Sequence, residues 1–512
     1  MKKIHLRHSL LTLLTLVGVF VLASCSKGDS YCSAIPQDAC VLGRVAPNEL
    51  LEQNDLSVEK LLEHFNAPQK VVEKFDLVKE SGLDIEAPFY FFITQKGQMG
   101  LVAKMTDAAA FKTFLENEIK IDEQVQEAEG YYYVEDNPQS KMEPVLCFND
   151  EKLLVLADSK AAVTHADAIT LMEQGTGESV LDTDLYKQLA EAEKPMSVNI
   201  DMKSATGAMP QLAAAGGIPA SQANMLSLVT MFVPNANLLV ALDIQDERAG
   251  ITADIFPASD DAEEQLLQMQ AGCPTIKGDL LEYGTQDPLV WACMGIEGAK
   301  YLEQINKVPF LSTVMEEIKK TFDAEGALNS LSGDILFSLS QKNVNDDMPQ
   351  VLLLAQTQDD KLAQSLKAFE GELIRRMTIQ QQSPNQYTLC PNSWDGTPTE
   401  PMLFFGQKDK FFYATTAESL IQSKVDNKSV KAYEDDIEES QFFVLFDIQR
   451  LTTLLEDQFG NNAKQAEKLS KIKDMKDIVI KGNQFHVEFY LHMMPGKKVS
   501  ESVLDLAAQA CK

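Results

Sequence analysis

Strict alternation and short apolar runs dominate the hydrophobic pattern of this chain, broken at intervals by segments with apolar residues three and four apart. Phe89-Tyr90-Phe91-Phe92-Ile93-Thr94, a Lys-Gly turn and Leu101-Val102-Ala103 predict a hairpin. The helix that should follow opens at Thr106/Asp107 and places Phe111, Phe114, Leu115 and Ile119 on one face. Val145–Phe148 and Leu153–Leu156, joined by Asn149-Asp150-Glu151-Lys152, predict a second tight hairpin. Met196–Asp201 reads as a strand entering a helix, and Leu238 to Phe256 as a long closing hairpin followed by a helix that ends near Cys273.

The same order of elements recurs downstream. Asp38–Gly43 leads into a helix at Leu50/Leu51 as Asp287–Ala292 leads into Tyr301-Leu302. Ile335–Leu339 and Val351–Leu354 repeat the first hairpin, with a helix at Asp359/Asp360 carrying Leu362, Leu366, Phe369 and Leu373. Met402–Phe405 and Phe411–Ala414 repeat the second, Phe442–Asp447 repeats the strand into helix, and Ile478 to Met493 repeats the closing hairpin, with a terminal helix near Cys511. The spacing predicts an α+β protein of two duplicated lobes, 35–272 and 273–512, each an antiparallel sheet with helices packed on one face.

One stretch breaks the correspondence. From Ala208 through Met209 and Gly216-Gly217 to Met225, Met231 and Phe232 the chain is rich in Ala, Met and Gly and nearly free of charge, where the second half has Gly460 to Leu469 with Lys464, Glu467 and Lys468. Such a segment either packs into a lobe interface or offers an adaptable apolar surface. Trp394 lies in the turn-rich Pro391–Pro398 loop, where it either folds over a core edge or stands out to stack on a sugar or anchor a partner; Trp291 sits in an apolar strand and belongs to the core. Met209, Met225, Met231, Phe232 and Trp394 are therefore the candidate residues for contact with a protein partner or a hydrophobic ligand.

The N-terminus changes the picture most. Lys2, Lys3 and Arg7 precede an apolar run from Leu10 to Leu22, and Leu22-Ala23-Ser24-Cys25 follows. That run is shorter than the roughly 20 apolar residues of a stable span, so 1–24 is expected to be a lipoprotein signal peptide cleaved before Cys25. Cys25 is then the lipidated residue, 25–34 a tether of about 35 Å, and the membrane is reached through lipid at the outer membrane of a cell envelope. With Cys25 spent, the other seven of the chain's 8 cysteines are odd in number, so at least one is free or intermolecular. Cys147, Cys293 and Cys390 fall in apolar strands, as small buried hydrophobes do.

The formal net charge is -31 and is spread along the chain, which excludes nucleic acid as a partner and keeps an envelope protein in solution. His64, His165, His486 and His492 lie in no metal-binding motif, and the last two stand about 20 Å apart along one strand, too far to share an ion. Asp260-Asp261, Asp346-Asp347, Asp359-Asp360 and Asp435-Asp436 read as helix caps and dipole partners. No phosphate-cradling loop or nucleophile elbow occurs, so neither cofactor nor catalytic residue is expected.

The opening Ser24-Cys25-Ser26-Lys27, followed by Ile35-Pro36-Gln37-Asp38-Ala39 and a strand, resembles a family of Bacteroidota lipoproteins known only as domain of unknown function 4836. The resemblance implies envelope attachment and a duplicated α+β fold, and supplies no substrate or site residue. Together these features point to a non-enzymatic, envelope-anchored binding or assembly protein; the alternative is a hydrolase of envelope or dietary polymers.

Overall fold

The computed structural model describes residues 29–54, 56–57, 60, 77–119, 124–135, 143–214, 233, 235–320, 322–341, 348–368, 376–421, 424–459, 469 and 472–500. The chain divides into two compact units, Met1–Ala262 with Lys498–Lys512, and Glu263–Lys497. The first contains strands β1 (Ala39–Val45), β2 (Phe89–Thr94), β3 (Gln98–Lys104), β4 (Gln126–Ala128), β5 (Tyr131–Glu135), β6 (Val145–Phe148), β7 (Lys152–Asp158), β8 (Met196–Asp201), β9 (Ala236–Gln245) and β10 (Arg248–Pro257). They pair antiparallel in the order β4–β5–β6–β7–β3–β2–β1–β8–β9–β10.

The second unit contains β11 (Val290–Glu297), β12 (Leu331–Ser340), β13 (Gln350–Thr357), β14 (Met377–Ser383), β15 (Gln386–Pro391), β16 (Leu403–Lys408), β17 (Phe411–Thr415), β18 (Phe442–Asp447), β19 (Met475–Asn483) and β20 (His486–Met493). Here the antiparallel order is β14–β15–β16–β17–β13–β12–β11–β18–β19–β20.

Side chains of a strand alternate between the two sheet faces, and in the first unit both faces are dry. Tyr90 and Phe92 of β2 join Leu42, Val102 and Leu154 under the turn Ser30–Ala34 and the helices His165–Met172 and Asp184–Glu191. Their neighbours Phe89, Phe91 and Ile93 point the other way. Phe89 packs with Phe111 and Phe114 of the helix Ala108–Phe114, and Phe91 and Ile93 pack with Ala205 and Ala208 of the helix Met202–Ala214.

The second unit is built likewise. Trp291, Leu336, Leu352, Phe443 and Val479 meet Ile276, Leu280, Val430 and Ile437 on one face. Ile296, Ala355, Phe405 and Phe412 meet Tyr301, Leu328 and Ala363, from the helices Gly298–Lys307, Ala324–Ser330 and Lys361–Ala368, on the other.

The expected pair of duplicated lobes, each an antiparallel sheet with helices packed on one face, is thereby overturned. All twenty strands belong to one antiparallel sheet, and helices cover both faces within each unit. The physical reason lies in runs such as Phe89–Ile93 and Val351–Ala355, apolar at both parities of the strand and packed on both sides. A sheet with one wet face would leave half of those side chains in water.

The start of the described chain is tied into the core. Ser30–Ala34 form a buried 3-10 turn rather than an extended segment. Asp29 Oδ2 accepts hydrogen bonds from Tyr90 Oη at 2.6 Å and Tyr186 Oη at 3.0 Å, while Tyr31 Oη donates to the Pro88 carbonyl at 2.7 Å. Lys152 Nζ, on β7, donates to Ser33 Oγ at 2.9 Å, and burial pushes that ammonium group downward.

Cys32, Cys40, Cys147, Cys273, Cys293 and Cys390 are all free thiols. Cys147, Cys293 and Cys390 are buried, as the apolar strands predicted. Burial pushes the Cys40 and Cys147 thiols up to about 12, which keeps them protonated and poor nucleophiles. Cys511 lies outside the described residues.

Candidate functional site

Five neighbouring strands of the second unit present an apolar face that its described helices only partly cover. Phe337, Ala292, Val444, Ile480 and Phe489 stand side by side on β12, β11, β18, β19 and β20. Leu339, Val290, Phe446, Ile478 and Leu491 form the next row, and Ile335, Met294, Phe442, Gly482 and Val487 a third. No position in the three rows carries a polar side chain. Within them Phe337 is 36% exposed, Phe446 38% and Phe489 40%, and the side chains around them are half-buried.

This is a continuous apolar patch, not scattered surface leucines. The backbone beneath it is also silent, because β11, β18 and β19 are paired on both sides and their N–H and C=O groups are used in the ladder.

The first unit treats the same kind of face differently. There Ala205 and Ala208, both fully buried, let the helix Met202–Ala214 approach Val41, Phe91, Ile93, Val198 and Ile200 closely. The exposed large apolar side chains described there are Met196 and Ile251, the middle and last members of the row Phe89, Val45, Met196, Leu242 and Ile251.

On the opposite face of the second unit a polar cluster closes the sheet. Asp447, Asp477 and His492 are consecutive cross-strand partners on β18, β19 and β20. His492 Nδ1 lies 2.7 Å from Asp477 Oδ1, and since a carboxylate only accepts, Nδ1 carries the proton. Tyr433 Oη donates to the same carboxylate at 2.9 to 3.0 Å, Lys476 Nζ lies 3.0 Å from Oδ2, and Lys476 Nζ also donates to Tyr433 Oη at 3.1 Å.

Burial raises the Asp477 carboxyl, but hydrogen bonds from His492, Lys476 and Tyr433 outweigh it and hold the group below the usual carboxylate range. Burial and then the Asp477 charge push the Tyr433 hydroxyl well above its ordinary value. The cluster thus offers an oriented imidazole but an unactivated hydroxyl, and its geometry is that of a structural tie.

A depressed carboxylate stabilises the fold in full above the unfolded value of about 3.9, and that contribution is lost as pH falls through the folded value. Asp477→Asn should therefore cost about 2 kcal/mol at pH 7 and progressively less below pH 4. Urea midpoints of both chains from pH 3 to pH 7 check this; a gap that does not narrow on acidification contradicts it. The gap also contains a smaller opposing part, because burial and then the Asp477 charge raise the Asp447 carboxyl, and the substitution relieves the second of these.

Residues 58–481 match the family described as Domain of unknown function (DUF4836). The chain belongs to that family. No protein of curated function matches it. A solved structure, "Structure of crystal form IV of TP0453", aligns with 10% identity and a TM-score of 0.24, covering 45% of this chain and 81% of that one, a likeness too slight to bear on fold or function.

In this member of the DUF4836 family the residues nominated from sequence are not gathered into one site. Cys25, Met225, Met231 and Phe232 lie outside the described residues, and Met209 falls within the helix Met202–Ala214. Trp394 is 98% exposed and does not fold back over a core edge, whereas Trp291 is fully buried. Phe337, Phe446 and Phe489 were missed. Their signal was present in the alternating apolar positions of Ile335–Leu339, Phe442–Phe446 and Val487–Leu491, but sequence does not say which apolar face is left without a full cover.

Among the described residues no group of three or more His, Cys, Asp or Glu side chains could hold a metal ion. No described helix is long and apolar enough to cross a membrane.

Proposed function

We propose that this chain is a lipid-anchored protein of the cell envelope, attached through Cys25, which holds an apolar ligand of the acyl-chain kind on the five-strand face of its second unit. The observation that carries the reading is the three-row grid around Phe337, Phe446 and Phe489. Protein–protein interfaces use about one hydrogen bond per 100–200 Å² and a polar rim; a grid with neither polar side chains nor free backbone groups suits hydrocarbon better. Support for the envelope comes from the Lys2 to Cys25 pattern and from the dispersed charge of -31.

Titrating the mature chain with a fluorescent fatty acid tests the binding half. Phe446→Lys with Phe489→Lys, both at positions already more than a third exposed, should weaken capture at least about tenfold while leaving the far-UV spectrum intact, since each places a charge where hydrocarbon must lie. Undiminished capture by the folded double variant would sink the assignment. Copurification of a protein that the same substitutions release would redirect it to a protein partner.

A further inference from the structure

Trp394 is held in water by a turn that is rigid by construction. Asn392 and Pro398 form an isolated bridge, and the Ser393 amide donates to the Thr397 carbonyl at 2.8 Å and the Gly396 amide to the Ser393 carbonyl at 3.0 Å. Gly396 takes φ +83°, a backbone conformation that favours glycine. Asp395 Oδ1 receives the Thr397 amide at 3.0 Å and the hydroxyls of Ser393 at 2.5 Å and Thr397 at 2.6 Å. Those hydrogen bonds, the one from Ser393 first, hold the Asp395 carboxyl down at about 2, so it stays ionised.

The contacts from Ser393 and Thr397 all fall on Oδ1. The turn therefore presents a bare indole at 98% exposure beside an ionised carboxylate. Leaving a large apolar side chain in water forgoes about 2 kcal/mol of burial, which contact with a ligand would recover.

We infer that Trp394 and Asp395 form a contact site for a neutral saccharide, separate from the apolar face. One side of a pyranose ring is a sheet of C–H groups that lies flat on an indole, and its equatorial hydroxyls project at the rim, where a carboxylate oxygen accepts them. The charge around the turn selects against other occupants. Asp395, Glu400 and a chain charge of -31 repel an anionic lipid surface and acidic sugars alike. A neutral sugar asks for no cation, and none is needed here.

The two tryptophans make the test direct. Trp291 is fully buried and Trp394 almost fully exposed, so acrylamide quenching of the mature chain reads Trp394. Adding neutral gluco-, xylo- or manno-oligosaccharides should protect it from quenching and shift its emission to the blue, with half-saturation on the order of 1 mM for a single stacked ring. Because Trp394→Ala also removes the fluorescent reporter, that variant is read by calorimetry, where the binding heat should vanish. Asp395→Asn should raise the half-saturation roughly threefold, with unchanged quenching of the free chain showing that the turn still stands. Unaltered quenching with every neutral sugar, or a calorimetric signal that persists in Trp394→Ala, overturns the site. Protection by lipid vesicles and not by sugars would replace it with a membrane contact.

Discussion

A Cys25→Ala chain should take up no alkyne-palmitate and should accumulate as a precursor heavier than the mature protein by residues 1–24. Under the proposed anchor the thiol would accept the lipid, and the apolar run from Leu10 to Leu22 would be released only when cleavage before Cys25 follows. Because the uncleaved run would itself keep a precursor at the membrane, the decisive chain is one that begins at Ser26 behind a signal without a lipidation cysteine. That chain should leave the membrane fraction entirely. Each buried methylene of an acyl chain is worth about 0.8 kcal/mol, and two chains are needed for stable anchoring. Palmitate label on Cys25→Ala, or a Ser26 chain that still sediments with membranes, would remove the anchor from the proposal.

The geometry at Asp29 sharpens what that anchor would do. With Asp29 clasped by Tyr90 and Tyr186, only Ser26, Lys27 and Gly28 separate the lipid from a fixed point in the core. The tether shrinks from about 35 Å to about 14 Å at full extension. A lipid-bearing Cys25 would thus hold the first unit close against the headgroups.

Strands were the legible part of this fold. The hairpins β2–β3, β6–β7, β16–β17, β9–β10 and β19–β20, and the longer β12–β13 pair, all fall where apolar runs flank polar or charged connections. Trp291 could also be placed in the core, because an indole in an unbroken apolar strand has nowhere else to go. What failed was the third dimension. Apolar residues at both parities of Phe89–Ile93 mark a strand dry on both sides, yet the pattern was taken for one buried face, and helix periodicity alone does not say on which face a helix lands.

The tie at Asp477 was equally hidden. Tyr433, Asp477 and His492 come from a loop and two strands, and they meet only once β19 and β20 are paired in register. Sequence spacing does not identify the partner of His492, because that carboxylate stands across the ladder rather than along the chain. The exposed tryptophan is the converse case. The composition of Pro391–Pro398 located its turn, but which way the indole points is a matter of the folded loop, where it is 98% exposed.

Trp291→Ala should be the most damaging single core substitution in the second unit. Trp291 is fully buried between Leu445 and Ser338 of the flanking strands. It meets Phe443 edge-on at 6.3 Å and donates from Nε1 to the Tyr283 carbonyl at 3.4 Å. Truncation removes the largest side chain of the core formed by Leu336, Leu352, Phe443 and Val479 and leaves the Tyr283 carbonyl without its indole donor. Such losses cost about 3–5 kcal/mol, against total stabilities of about 5–15 kcal/mol for native domains.

For a unit of this size the unfolding midpoint should fall by roughly 10 °C. Trp291→Phe, which keeps a ring beside Phe443 but not the donor, should fall between the two. Calorimetry checks the midpoint, and fluorescence supplies an internal control: the variant's remaining emission comes from Trp394 and should be red-shifted and freely quenched. A variant that melts with the native chain would show that the Phe443 and Tyr283 side of the core closes without the indole.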